Sequence, residues 1–198
     1  MKFTLIISGS GGQGVMSIGM SLAGSAVEGG LHATFMPLYG PEQRGGSAKC
    51  TVIVSDSEIV SPLPKQSDGL IVMNETSFKK FTPELKPGGV LVRNINRTTS
   101  ALKRTDIEVV DVPADDLAHE LGSDKIANII LIGAMLGYSG MLDRRFSWRA
   151  SSTSSRPRAR RSWSSTERRS TRASKSAALQ RSLEERRNVW ENTVGTAR

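Results

Sequence analysis

The stretch FTLIISGSGGQGVMSIG, Phe3–Gly19, sets the architecture of the chain. Phe3–Ser8 is a short apolar run containing β-branched residues and closed by glycine, the pattern of a buried parallel strand. Gly9, Gly11 and Gly14 then fall in the order G-x-G-x-x-G, and a helical pattern follows. Val15, Ile18, Leu22 and Ala26 share one stripe at helical spacing, and Gly29-Gly30 supplies a stop. A strand, a glycine turn and a helix in succession make up the first half of a βαβ unit.

Outward from that unit, the same period reading predicts strands at HATFMP, AKCTVIVS, GLIVMN, VLVRN and IEVVDVP. Helices are predicted at ETSFKKFTPEL, ADDLAHELG and DKIANIILIGAMLGYSG. Strands alternating with helices predict an α/β fold: a three-layer, open, mostly parallel sheet with helices on both faces. Asp115 and Asp116 open one of these helices, where they complement its dipole.

Charge divides the chain in two. Residues 1–143 hold 12 Lys and Arg against 15 Asp and Glu, whereas residues 144–198 hold 15 against 4. The net +8 therefore comes entirely from the tail. Residues 1–143 are expected to form the folded domain. The segment from Arg144 to about Ser176 is rich in Arg and Ser, lacks Ile, Leu and Val, and carries two of the three tryptophans. Three origins for this text are open: a shifted reading frame of a GC-rich gene, a solvated disordered tail, or a nucleic-acid-binding arm.

Composition removes several classes of function. No run reaches the roughly 18 apolar residues of a membrane helix, and the short apolar start reads as a strand rather than a leader. With Cys50 as its one cysteine, the chain holds no internal disulfide and no four-thiolate cluster. A reducing, cytoplasmic compartment is expected. His32 and His119 stand far apart, and no Ser–His–Asp or Cys–base set accompanies them. SDGLIVMN resembles the start of a thiamine diphosphate motif but lacks its first glycine, so it is read as a loop entering a strand.

Two loops carry the candidate chemistry. Gly11, Gly12, Gln13 and Gly14 form a turn that brings backbone N–H groups to a helix N-terminus, a setting for a phosphate. Gln13 places a polar amide there, available to a ligand or a partner loop. A dinucleotide site also requires an acid at the end of the second strand, and HATFMPLYG has none. A stand-alone dinucleotide-binding oxidoreductase is therefore the alternative reading, not the leading one. The second loop comprises Tyr39, Gly40, Pro41, Glu42, Gln43, Arg44, Gly45, Gly46 and Ser47. Arg44 offers a planar fork to a carboxylate or phosphate, or pairs internally with Glu42. This loop follows the carboxyl end of a strand, where open α/β sheets bind ligands.

GSGGQGV, YGPEQRGGSAKCTVIVSDSEIVSP, DGLIVMN and DKIANIILIGAMLG together resemble the gamma subunit of 2-oxoacid:ferredoxin oxidoreductases, over residues 3 to about 142. The resemblance implies a non-catalytic subunit supporting oxidative decarboxylation of a 2-oxoacid to an acyl-CoA and carbon dioxide, with reduction of ferredoxin. It implies alpha, beta and ferredoxin-like delta partner chains, which hold thiamine diphosphate, Mg and 4Fe-4S clusters. It also implies coenzyme A near this chain. Gly11, Gly12, Gln13 and Gly14, with Tyr39, Gly40, Glu42, Arg44, Gly45 and Gly46, would face coenzyme A and the partners. The Arg/Ser tail departs from the family pattern, which favours the frameshift origin.

Overall fold

The computed structural model describes residues 1–39 and 47–139. Its elements run β1 (Lys2–Ser10), α1 (Val15–Glu28), β2 (His32–Tyr39), β3 (Ser47–Ser55), β4 (Ser67–Val72), α2 (Glu75–Phe81), β5 (Leu85–Asn94), β6 (Glu108–Val112), α3 (Ala114–Glu120) and α4 (Ala127–Tyr138). Single 3₁₀ turns at Thr82–Glu84 and Asp124–Ile126 follow α2 and precede α4. Pro83 sits in the first of these and ends α2 early. No described helix is long and apolar enough to cross a membrane. The basic tail and the expected boundary at residue 143 lie outside the described residues.

The six strands are ordered β2-β3-β1-β4-β5-β6. The β1/β4, β4/β5 and β5/β6 ladders are parallel, and β3 alone runs against the rest. The expected mostly parallel sheet is therefore present, with one departure: β2 and β3 form an antiparallel pair that inserts β3 between β1 and β2. Residues 40–46 are too few for the dozen or more that a parallel crossover needs, so β3 must fold back on β2.

Period-two alternation sends neighbouring side chains to opposite sheet faces. Leu5 and Ile7 of β1, Ile71 of β4 and Val92 of β5 join one core with Val15, Ile18 and Leu22 of α1 and Leu131, Ile132 and Met135 of α4. Ile6, Leu70, Val72 and Leu91 join a second core with Phe78 and Phe81 of α2. Helices thus cover both faces, α1, α3 and α4 on one and α2 on the other. The predicted α1 stripe is buried in full, with Val15, Ile18, Leu22 and Ala26 all at 2% exposure or less. Gly19 lets α1 approach the sheet, since a Cβ there would stand 2.5 Å from the Cys50 sulfur.

Polar groups tie the strand ends together. Asn74 caps α2 by accepting the Ser77 N–H at 2.8 Å and donates to the Ser10 hydroxyl at 2.6 Å. Asp68 accepts the Thr4 N–H at 2.6 Å and pairs with Lys86, so the acid in SDGLIVMN serves the β1/β4 junction. Glu75, in the first turn of α2, accepts the Thr99 N–H at 2.9 Å and the Ser100 hydroxyl and N–H. The Ser100 hydroxyl bond is the main cause that holds its carboxyl down at about 2. Arg93 grips Asp111 through both Nε and Nη2 and donates to the Ser100 carbonyl. Together these bonds pin the segment between β5 and β6 against α2.

Candidate functional site at the carboxyl edge of the sheet

The chain leaves β1 toward the face covered by α1 and leaves β4 toward the face covered by α2. Where neighbouring parallel strands send their connections to opposite faces, a crevice opens beyond their carboxyl ends. A cleft of about 360 Å³ lies there. Gly12, Gln13 and Gly14 line one side, Met73 follows β4, Asn94 ends β5 and Arg97 follows it, Asp115 belongs to α3, and Asp124, Lys125, Ala127, Asn128 and Leu131 contribute the start of α4.

The glycine loop owes its composition largely to this chain's own packing. Gly9 is inside β1, opposite Ala48, and a Cβ on it would stand 2.6 Å from Gln13 Oε1 and 3.0 Å from Met73 Cβ. Gly14 adopts φ +75°, and a Cβ there would lie 2.1 Å from Asn128 Nδ2 at the head of α4. Gly12, at φ +95°, meets nothing within 4 Å. It is exposed, as is Gly11. Gln13 accepts the Ser10 N–H on Oε1 at 2.6 Å and donates from Nε2 to the Met73 carbonyl at 3.3 Å. Behind the loop, α1 begins without a side-chain cap and without an acid in its first turn, which leaves its dipole open to an anion.

Across the cleft the charges are mixed. Arg97 pairs with Asp115. Asn94, only 2% exposed, accepts the Asn96 and Ala114 N–H groups at 3.2 and 3.3 Å and donates to Asp115 at 3.2 Å. Asn96 accepts both the Asp115 and Asp116 N–H groups, so these two acids sit in the first turn of α3 as their sequence position predicts. Lys125 has no ion-pair partner among the described residues.

The second loop reaches the same edge. Tyr39 pairs with Ala48, which in turn pairs with Gly9, and Ser47 pairs with Ser10. The strand ends that flank residues 40–46 therefore stand directly beside the glycine loop. Tyr39 is 72% exposed. Gly40, Glu42, Arg44, Gly45 and Gly46 lie outside the described residues. Asn94, Arg97 and Asn128 are not singled out from sequence, and Asp115 is read there only as complementing the dipole of α3. Asn94 ends a predicted strand and Arg97 follows it, a position at the carboxyl edge that marks them as candidates.

The same register removes the dinucleotide alternative on geometric grounds. In that site the ribose-binding acid ends a strand adjacent to β1. Here β3 intervenes, so the end of β2 is two strand spacings, about 10 Å, from β1, and it carries Leu38 and Tyr39. Cys50 offers no nucleophile: it is fully buried, and desolvation pushes its thiol up to about 12.

Comparison with known proteins agrees with this architecture. The ketoisovalerate oxidoreductase subunit VorA of Methanothermobacter marburgensis is 36% identical over 142 residues, covering 71% of this chain. This chain spans only 30% of that protein's length. The 2-oxoglutarate synthase subunit KorC of the same organism is 32% identical over 152 residues, covering 73% of this chain and 82% of that protein. The crystal structure of a keto/oxoacid ferredoxin oxidoreductase gamma subunit from Geobacter sulfurreducens superposes with a TM-score of 0.67 at 27% identity, over 79% of this chain and 87% of that one. The fold also recurs, at 20% identity and a TM-score of 0.64, in the 2-oxoglutarate:ferredoxin oxidoreductase of Magnetococcus marinus, solved with 2-oxoglutarate, coenzyme A and succinyl-CoA bound. The pyruvate ferredoxin/flavodoxin oxidoreductase family model matches residues 4–160, and the chain belongs to that family.

Proposed function

We propose that this chain is the gamma-type subunit of a 2-oxoacid:ferredoxin oxidoreductase complex. The complex cleaves carbon dioxide from a 2-oxoacid, transfers the acyl group to coenzyme A and passes two electrons to ferredoxin. Alpha, beta and ferredoxin-like delta chains supply thiamine diphosphate, Mg and 4Fe-4S clusters. This chain supplies a face that meets coenzyme A and the partners, and it performs no bond-breaking step by itself.

One observation carries the reading. In a member of this family, the flanks of the YGPE-x-RGG loop and the glycine loop emerge side by side at the crevice edge of the sheet. The local chemistry suits an anionic substrate. The N-terminus of α1 is uncapped and free of acids, and the space over Gly12 is open. Lys125 adds a cation to the cleft that has no ion-pair partner among the described residues. A coenzyme A phosphate on the α1 N-terminus, with Arg44 as a second anchor, fits those features. A fold relative has been solved with coenzyme A bound.

The test is reconstitution. Purified partner chains are assayed for 2-oxoacid- and coenzyme A-dependent reduction of a viologen dye, with and without this chain. Activity that appears only when it is present supports the proposal, and full activity in its absence refutes it. Arg44→Ala in the reconstituted complex is expected to raise the apparent KM for coenzyme A, and an unchanged value removes Arg44 from that role.

A further inference from the structure

The β1/β4 ladder breaks at the one rung that faces the cleft. Met73 donates its N–H to the Ser8 carbonyl at 2.9 Å, so the next rung of a parallel ladder belongs between the Ser10 N–H and the Met73 carbonyl. Those two groups do not meet. The Gln13 side-chain amide stands between them, taking the Ser10 N–H on Oε1 at 2.6 Å and giving Nε2–H to the Met73 carbonyl at 3.3 Å. The amide takes the place of that backbone rung and links the two strand ends through its own two hydrogen bonds.

The sequence reserves room for this arrangement. Gly9 leaves the space that Gln13 Oε1 occupies, and any Cβ at position 9 would collide with it at 2.6 Å. The backbone of Gly9 is not in the left-handed region, so side-chain room, not backbone conformation, is what requires glycine there. The Gln13 N–H also donates to the Ser10 carbonyl at 3.2 Å, so backbone and side chain together close the turn on Ser10.

We infer that Gln13 is a positioning residue: its amide acts as an inserted rung that sets the opening of the crevice between β1 and β4 and fixes Gly11 and Gly12 toward it. The inference rests on the proposed function for what enters the crevice, and on this chain's geometry alone for the clasp itself. Ser10 and Met73 each hold one end of the Gln13 amide, so the side chain is committed to fixing the loop.

The test combines two measurements on Gln13→Ala, Gln13→Glu and Gly9→Ala. In the full chain alone, hydrogen exchange of the Ser10 amide is expected to accelerate about tenfold in Gln13→Ala, the loss of one hydrogen bond, while Leu5–Ile7 keep their protection. Gln13→Glu retains the acceptor for Ser10 and loses the donor to Met73, so Ser10 stays protected. Gly9→Ala evicts the side chain and matches Gln13→Ala, and the double variant is no worse than either single one. In the reconstituted complex, Gln13→Ala is expected to raise KM for coenzyme A several-fold, with kcat and the KM for the 2-oxoacid unchanged.

Unaltered exchange at Ser10 overturns the clasp. Accelerated exchange with an unchanged KM for coenzyme A overturns its positioning role. If the wild-type complex shows no coenzyme A dependence, the proposed function fails, and the exchange series on the isolated chain still decides whether the clasp exists.

Discussion

Replacing Gly14 by alanine separates two causes that the structure assigns to one glycine. The first is backbone conformation. Gly14 sits at φ +75°, where a side chain costs about 1–2 kcal/mol. The second is space. The new Cβ would lie 2.1 Å from Asn128 Nδ2 and 3.3 Å from Asn128 Cγ, so the Asn128 side chain must leave its rotamer, at about 1 kcal/mol. Asn128 also accepts the Ile129 N–H at 2.8 Å, and that bond is strained by the move. The total for Gly14→Ala is about 2–3 kcal/mol. Gly12 provides the control, because it is also left-handed, at φ +95°, but has nothing within 4 Å. Gly12→Ala is expected to cost only the backbone part, about 1–2 kcal/mol. Urea unfolding of both variants, repeated in an Asn128→Ala background, resolves the two parts. In that background the Gly14→Ala cost should fall to the Gly12→Ala value, a coupling between contacting residues. Equal costs for the two glycine variants, or a Gly14→Ala cost unchanged when Asn128 is truncated, would refute the claim that Gly14 exists to admit α4.

Other outcomes follow from the same structure. Glu75 is held at about 2, below its ordinary 4.5, chiefly by the Ser100 hydroxyl. A depressed carboxyl contributes stability above its unfolded pKa and loses it as pH falls through the folded one. Thermal melts should therefore show stability lost between about pH 4.5 and 2, and Glu75→Gln should flatten that acid limb. An identical limb in the variant would contradict the role of Glu75. Cys50, at about 12 against 9.0 for a free thiol, has about a thousandfold less thiolate at neutral pH, so iodoacetamide should label it only after denaturation. Labelling of the native chain at the unfolded rate would contradict its burial. Phe78→Ala, in the core between α2 and the sheet, should cost about 3–5 kcal/mol in urea unfolding.

Much of this architecture was written in local pattern. The glycine turn after FTLIIS and the stripe Val15–Ile18–Leu22–Ala26 located β1 and α1, because period and glycine act over a few residues. The antiparallel β2–β3 pair was equally legible, since residues 40–46 are too short for a crossover, although the sequence reading gave that segment weight only as a binding loop. The insertion of β3 next to β1 was not legible, because no local signal names a strand's neighbour. The site divides the same way. Gly11–Gly14 announced themselves, whereas Asn128 comes from the far end of the domain to pack on Gly14. Gln13 was singled out as an unusual polar residue in a glycine turn, but the partners of its amide, Ser10 and Met73, follow from the β1/β4 pairing and from nothing in the turn.

The most direct test of the account is anaerobic capture of the tagged chain from its native cells, with the eluate assayed for thiamine diphosphate, iron and reduction of a viologen dye by 2-oxoacids. The account predicts co-elution of larger chains carrying thiamine and iron, and dye reduction that depends on coenzyme A. A chain that elutes alone, without thiamine, iron or activity, both at full length and when truncated after residue 143, would contradict it.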